Sequence, residues 1–199
     1  MTLLGRMHEV VYGRRVRVLS DRLAELIPPN SRVLDVGCGD GLIAHLTTQK
    51  KPSLELQGID VKVRNHTHIP VRPFNGTQIP HDDKSFDVVM FVDVLHHTEE
   101  PMILLREARR VARQAVILKD HTRNGLLAGT TLRLMDWVGN ARHEVVLPYN
   151  YWPRHRWLEA FDELGLRVDT WIKRLGLYPA PGNWIFGRSL HFMAKLVVP

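Results

Sequence analysis

Apolar residues recur at helical spacing near the start of the chain, where Val11, Val18, Leu19, Leu23 and Leu26 are interleaved with Arg14, Arg15, Arg17 and Arg22. Pro28-Pro29 ends the run, so an amphipathic leading helix is predicted. Arg32 to Gly37 is a short apolar stretch cut off by glycines, after which Leu42, Ile43, Ala44 and Leu46 resume helical spacing up to Lys50-Lys51-Pro52. This reads as strand, glycine turn, helix. Leu54 to Asp60 is the next strand, and Phe86 to Val92 is another, apolar enough to be buried on both faces. Pro101 to Val111 follows as a helix with Ile103, Leu104, Leu105 and Ala108 inward and Arg106, Arg109, Arg110 and Arg113 outward; Ala115 to Leu118 is the strand behind it. Strands separated by helices of this length imply parallel β-α-β units, hence an α/β chain with a doubly wound sheet.

Beyond residue 120 the rhythm changes. Residues 121–152 read as a helix plus a long excursion, with no clear period from His143 to Trp152. Arg154 to Leu164 is a helix ending at Gly165, and Leu166 to Trp171 and Ser189 to Val198 are strands separated by a turn region around Pro179-Ala180-Pro181-Gly182. With no helix between them, these two strands are expected to form an antiparallel pair. No repeat or linker divides the chain, so residues 1–199 are expected to form one domain, with a leading helix over about 1–29, a core over 30–120 and a closing segment over 121–199.

Composition narrows the setting. The 199 residues carry 27 Lys+Arg against 21 Asp+Glu, a formal charge of +6, and 44% are hydrophobic. That is ample for one core and excludes a disordered or low-complexity scaffold. Cys38 is the only cysteine, which removes an intramolecular disulfide, a zinc ribbon and a Cys-x-x-Cys redox pair. There is no apolar run long enough to span a bilayer, and Met1 to Arg17 does not present a secretory apolar region, so a cytoplasmic setting is expected. The basic excess is compatible with an anionic partner such as nucleic acid or a lipid surface, but charge speaks to attraction and never to fold.

The most informative stretch is Val33-Leu34-Asp35-Val36-Gly37-Cys38-Gly39-Asp40-Gly41. Its glycines fall where a strand meets a helix, so a ligand can lie against bare backbone beside the free N–H groups of a helix start. The spacing is not the G-x-G-x-x-G of dinucleotide-binding folds. Asp60 ends the second strand about twenty residues later, where a carboxylate can accept hydrogen bonds from both hydroxyls of a ribose. Asp35 is costly inside a strand unless partnered; it either links to N–H groups of the turn or contacts the ligand's amino group.

Taken in order, Val33 to Gly41, Gly58-Ile59-Asp60, Asn75-Gly76-Thr77-Gln78-Ile79-Pro80, Ser85-Phe86-Asp87-Val88-Val89, Leu95-His96-His97 and Glu107-Ala108-Arg109-Arg110-Val111 resemble the class I S-adenosylmethionine-dependent methyltransferases, in particular their small-molecule branch. The resemblance runs from about residue 30 to residue 120. It implies a Rossmann-like seven-stranded sheet, mostly parallel with an antiparallel terminal strand, and S-adenosyl-L-methionine as cofactor. It makes Gly37, Cys38 and Gly39 the backbone wall beside the methionine moiety, Asp60 the ribose clamp and Val61 the packing surface for adenine. Asn75 stands where the family usually has an Asp that receives the adenine amino group; an amide oxygen can still accept that bond. Gly76 would offer its backbone to the ring, and Phe91 and Val92 their carbonyls to the ammonium of the cofactor. Ala112-Arg113-Gln114 replaces the family's usual Lys-Pro-Gly-Gly turn.

Methyl transfer from a sulfonium is an in-line displacement, so alignment in a dry pocket supplies much of the rate, and a general base matters when the acceptor is a hydroxyl or phenol. Asp93, His96 and His97 follow the fourth strand at the edge where open α/β sheets bind ligands. His97 or His96 is the candidate base, with Asp93 as orienting partner, unless either imidazole serves only the turn before Pro101 or the cofactor. Lys119-Asp120-His121 occupies the matching edge of the next strand. His66 and His68 lack a completing carboxylate or cysteine pattern and read as a surface loop with no metal. Leu126, Leu127, Leu132, Leu134, Met135 and Trp137, with His143-Glu144 and Tyr149-Asn150-Tyr151-Trp152, are expected to cover an apolar, aromatic or lipid-like acceptor, although core packing explains the Leu and Met residues equally well.

Two other functions compete. An RNA methyltransferase is suggested by the charge and by the arginines, but the Asn/Asp-Pro-Pro-aromatic turn of exocyclic-amine methylases is missing after the fourth strand, and the arginines are expected to lie away from the ligand edge. The other is a regulatory domain that binds the cofactor without turnover. A nucleic-acid partner is therefore not expected, while contact with a membrane surface is left open.

Overall fold

The computed structural model describes residues 3–140, 149–180, 182–187 and 189–199. A seven-stranded sheet runs in the order β3-β2-β1-β4-β5-β7-β6. Its strands are β1 (Arg32–Val36), β2 (Glu55–Asp60), β3 (Val71–Pro73), β4 (Phe86–Val92), β5 (Ala112–His121), β6 (Arg167–Ile172) and β7 (His191–Val197). The pairings among β1 to β5 are parallel, while β7 runs antiparallel to both β5 and β6. The order reverses between β1 and β4, and the crevice at the carboxyl ends of those two strands is where open sheets of this type bind ligands.

The helices are α1 (Leu3–Leu26), α2 (Leu42–Lys50), α3 (Pro101–Val111), α4 (Ala128–Asn140), α5 (Arg154–Glu163) and α6 (Gly182–Phe186). β4 shows why both faces need cover. Val88 and Met90 join the cluster that holds Leu19 and Leu23 of α1, Ile27 just after it and Ala44 of α2, whereas Val89 and Phe91 join Leu104, Leu105 and Ala108 of α3 and Trp157 and Phe161 of α5. Alternate residues of one strand thus feed two cores, and the sheet is wound on both sides.

The differences from the sequence expectation are local. β3 is a three-residue edge strand ending in Pro73, too short to give an alternation and placed where a missing N–H is tolerated. Helix α3 passes into β5 at Ala112 with no intervening turn, so Ala112-Arg113-Gln114 is strand, and β4 absorbs the change with a register shift between Phe86 and Val88. Ile103 does not face inward but is 38% exposed. The region after Pro179 contains α6. Ala128 and Leu132 of α4 pack on Tyr151 and Leu190, but Leu126, Leu127 and Leu134 are exposed and do not line a core or a pocket. His143-Glu144 and the side chain of Trp137 lie outside the described residues.

Candidate active site

The turn after β1 is built by positive φ at Gly37 (73°) and Gly39 (60°). Gly37 N and Cys38 N donate to Ile59 O at 2.8 and 3.3 Å, binding the turn to the end of β2. A Cβ on Gly37 would lie 2.7 Å from the Val94 side chain, whereas one on Gly39 would meet nothing within 4 Å. Gly39 is therefore the point at which the backbone opens onto the crevice. Asp60 accepts from Gly39 N (2.8 Å) through Oδ2 and from Lys62 N (2.9 Å) through Oδ1, which leaves each oxygen further acceptor capacity.

Asp35 is 3% exposed, and its Oδ1 has no hydrogen-bond partner among the described residues. Burial, with the nearby charge of Asp60, pushes its carboxyl up from 3.8 to about 7, so near neutrality it is part acid and part carboxylate. A buried carboxyl with an idle oxygen is what a cationic ligand group can use. Burial, helped by Asp35 and Asp60, raises the Cys38 thiol, which makes it unreactive and leaves its backbone as the useful part.

Val61, next to Asp60, is 64% exposed, and Gly76 (φ 83°) faces it closely enough that a Cβ there would sit 3.2 Å from Val61 Cγ1. The Asn75 amide oxygen does not wait for a ligand: it accepts from Thr77 N, Thr77 Oγ1 and Gln78 N at 3.0, 3.1 and 2.8 Å. The acceptor role expected of it is taken by the turn, and Nδ2 is the group that remains for a base. Phe91 is fully buried in the core, so only its main chain can serve the site; Val92 is half-buried, and β1 stops at Val36, opposite Phe91, one residue short of it.

At the carboxyl ends of β4 and β5 and the amino end of β7 lies a buried polar network. Asp93, at φ 58°, donates its N–H to Lys119 O at 2.8 Å and pairs its carboxylate with both Lys119 Nζ and Arg15 Nη2. Lys119, 1% exposed, also sits 3.2 Å from His191 Nδ1, and Tyr178 OH lies 3.4 Å from His191 Nε2. Asp120 receives Leu95 N (3.0 Å) and His121 N (2.7 Å), and its Oδ1 is 2.7 Å from His96 Nδ1. His121 Nδ1 stands 3.3 Å from His96 Nδ1, and Tyr151 stacks on the His96 ring at 5.7 Å between centroids. Asn150 donates through Nδ2 to Thr98 O and Glu99 O at 3.2 and 3.0 Å, which fastens the Tyr149–Trp152 segment over the histidines.

The charges sort themselves by partner. Burial opposes ionisation of Asp93, but Lys119 and Arg15 outweigh it and hold the carboxyl well below the usual range. Burial likewise opposes ionisation of Asp120, and the His96 and His121 contacts hold it down. Burial and then the Lys119 charge lower both His121 and His191, so both rings are neutral near pH 7. Asp93, His96 and His121 bring one ligand-type atom each within 4.8 Å of one another. Asp93 already serves two cations, however, and a divalent ion would add charge to a pocket that holds both, so the arrangement fits a hydrogen-bonded network better than a metal centre.

Of the two candidate bases, His96 stands at this edge with a carboxylate partner other than the expected Asp93. Asp93 is committed to Lys119 and Arg15, and the carboxylate that fixes His96 is Asp120, whose alternation on β5 places it on the α3 side while Lys119 faces α1. His97 packs its ring on His96 at 4.0 Å and is only half-buried. Arg15 also corrects the expectation that the arginines avoid the ligand edge. Arg110 is spent inside the fold, on Glu107, Asp83, Ile79 O and His81 O. His66 and His68 sit in a loop with their rings edge to face at 5.1 Å. A cavity of about 510 Å³, lined by Gln78 to Asp83 and Arg110, opens at the amino edge of β4, away from this chemistry.

Comparison with known proteins agrees with the geometry. The model of a family described as a methyltransferase domain matches residues 10–170. A curated relative, 27-O-demethylrifamycin SV methyltransferase of Amycolatopsis mediterranei, is 28% identical over 109 residues, covering 48% of this chain and 40% of the relative. An uncharacterised protein of Methanocaldococcus jannaschii is 27% identical over 112 residues, covering 54% and 49%, so the chain spans about half or less of the curated relatives it matches. Among solved structures, an S-adenosylmethionine-dependent methyltransferase of Aquifex aeolicus superposes with a TM-score of 0.64 at 17% identity over 100% of both chains. One of Thermotoga maritima gives 0.66 at 15% identity, covering 96% of this chain and 93% of that one. The match over residues 10–170, most of its length, shows that this chain belongs to the methyltransferase domain family.

Proposed function

We propose that the enzyme methylates a small-molecule acceptor at the carboxyl edge of β4 and β5, with His96 taking the acceptor's proton. The observation that carries this reading is the buried His96–Asp120 pair, 2.7 Å apart, beside the loop that follows β4.

The residues around the glycine turn suit the cofactor. Asp60 has acceptor capacity for the ribose hydroxyls, and exposed Val61 opposite Gly76 offers an apolar face for adenine, with Asn75 Nδ2 at hand for a ring nitrogen. The idle oxygen of Asp35 suits an ammonium, Gly37, Cys38 and Gly39 supply bare backbone beside the methionine moiety, and Phe91 and Val92 supply main-chain acceptors. When bound, the cofactor supplies an electrophilic methyl group on a sulfonium.

The chain's own work is alignment and proton handling. Ionised Asp120 holds Nδ1–H of His96, so Nε2 is the nitrogen that accepts a proton, and the carboxylate stabilises the imidazolium that results. Asp93 anchors the loop between β4 and His96 through Lys119 and Arg15. A small acceptor is favoured over a nucleic acid because two arginines once available to a polyanion, Arg15 and Arg110, are engaged internally. The rifamycin relative, named for a small-molecule substrate, supports the same choice. Tyr149 and Tyr151 line a cavity beside the histidines and suit an aromatic or apolar portion of the acceptor. The lone, half-buried thiol of Cys38 suits a reducing, cytoplasmic setting.

The test is labelled-methyl transfer into cell extract fractionated into lipid, nucleic acid, protein and small-molecule pools, with calorimetry for the cofactor. Label should enter the small-molecule pool, and His96→Ala should cut turnover by about 10²–10⁴-fold while cofactor affinity stays within about twofold. Unchanged turnover in His96→Ala removes the base. Label in RNA alone overturns the acceptor class, and cofactor binding with no labelled pool returns the chain to a regulatory role.

A further inference from the structure

We propose that the acceptor carries an anionic group, a carboxylate or phosphate, clamped between Arg123 and Arg133 in the cavity beside the catalytic histidine. The proposal rests on the methyltransferase reading and deepens it. The cavity holds about 200 Å³ and is lined by Arg123, Gly129, Thr130, Arg133, Tyr149 and Tyr151. Among the described residues, two positive charges and no negative one line it.

Arg15, Arg22, Arg110, Arg113 and Arg156 each have a carboxylate within 4 Å. Arg123 and Arg133 have none among the described residues. Arg133 instead spreads its guanidinium over the Tyr149 ring at 5.6 Å, and the Arg123 stem lies against Gly129, where a Cβ would come 3.4 Å from Cδ. Both stems are thereby steered onto one wall although their like charges repel, and an anion between them turns that repulsion into two attractions. Thr130 and the tyrosines add hydroxyl donors, and Gly129 and Thr130 belong to the first turn of α4, whose N–H groups favour the same sign of charge.

The position fits a substrate. Tyr151 is shared: it lines the cavity, and its ring stacks on His96 and meets His121 edge-on at 5.8 Å. Arg123 follows β5 by two residues and donates its N–H to Trp152 O at 3.1 Å, so the same segment that covers the histidines holds the clamp in place. At this volume the cavity accepts a charged group and a few carbons and not a whole acceptor. The remainder of the molecule extends across Tyr151 toward His96. The exposed Leu126, Leu127 and Leu134 adjoin the clamp, so the anion can belong to a free metabolite or to a lipid headgroup.

Phenyl phosphate, benzoate and phenol, titrated calorimetrically into the cofactor-loaded protein, test the clamp without requiring the acceptor. The two anions should bind and phenol should not. Arg123→Gln and Arg133→Gln should each weaken anion binding at least about tenfold, the scale of a charge-assisted contact, with cofactor affinity unchanged as the check on folding. Vesicles of phosphatidylglycerol against phosphatidylcholine form a second arm. Capture by the anionic vesicles alone, lost in both variants, assigns the anion to a lipid headgroup; soluble anion binding without capture assigns it to a free metabolite. Equal affinity for phenol and the anions, or anion and vesicle binding indifferent to both substitutions, overturns the proposal. A protein that clamps anions but fails to bind S-adenosylmethionine counts against the cofactor residues named above and leaves the clamp standing.

Discussion

Two carboxyl groups, each nearly inaccessible to water, end up in opposite states. Asp120 gathers two backbone N–H groups and His96, so its charge is solvated by the protein; Asp35 gathers no partner for Oδ1 and sits near Asp60, so its charge is resisted. Asp120→Asn should keep the fold yet lower turnover by about 10²-fold or more, because an amide can orient the imidazole but cannot balance its charge. The pH–rate profile should lose or shift its acidic limb, which a purely structural residue would leave alone. Asp35 predicts a slope in stability. A carboxyl raised in the folded state stabilises it fully below the ordinary value of 3.8 and loses that contribution as pH rises through about 7. Stability should fall across this window by at most about 4 kcal/mol. His121 and His191, lowered in the folded protein, act oppositely as pH rises through 6.5. The difference between wild type and Asp35→Asn in denaturant unfolding from pH 4 to 7.5 isolates the carboxyl, and parallel curves would remove it.

Among the elements, β5 ends in Lys119-Asp120-His121 and β4 is followed directly by Asp93, so polar residues gather where the carboxyl ends of the two strands meet the crevice. Lys119, Asp93 and Arg15 form a chain of alternating charge from β5 through the β4 loop to α1, thereby fastening the leading helix over the site. Lys119→Met leaves Asp93, only 12% exposed, with Arg15 as its remaining cation, and unfolding should show a loss of at most about 3–5 kcal/mol. The double change Asp93→Asn with Lys119→Met should cost less than the sum of the single changes; strict additivity would mean the pair is not coupled. Helix α4 divides the apolar residues expected to cover an acceptor. Leu126 and Leu127 precede it and are exposed, Leu134 faces outward, and the smaller Ala128 with Leu132 makes the inner contact. Which stripe of such a helix turns inward is set by its neighbours Tyr151 and Leu190, not by its own sequence.

At the scale of the whole molecule, ligand binding should be felt as stability, since the crevice draws on residues from 35 to 93 that only the folded chain assembles. S-adenosylmethionine at one hundred times its dissociation constant should add about 2.7 kcal/mol and raise Tm by about 5–10 °C, while NAD at the same concentration leaves it unchanged. A shift with NAD and none with S-adenosylmethionine would contradict the cofactor. The strands β1, β2, β4 and β5, the glycine turn and Asp60 were legible in the chain itself, because strand, turn and helix starts are governed by neighbours a few residues apart. So was the antiparallel closing pair, from the missing helix between two apolar runs. The edge strand β3 and helix α6 were not, being too short to impose a period. The partner of His96 also escaped the sequence: Asp93 is three residues from it and Asp120 twenty-four, and only the register of β4 against β5 decides which carboxylate reaches the ring. Arg15, His191 and the two arginines of the cavity entered the site in the same way, from segments far apart in the chain. Sequence alone determined the sheet, the glycine turn and the acidic end of β2, where local hydrogen bonding and φ govern. Tertiary structure alone decided which charges were paired and which were left to meet a ligand, because pairing depends on distances that folding sets.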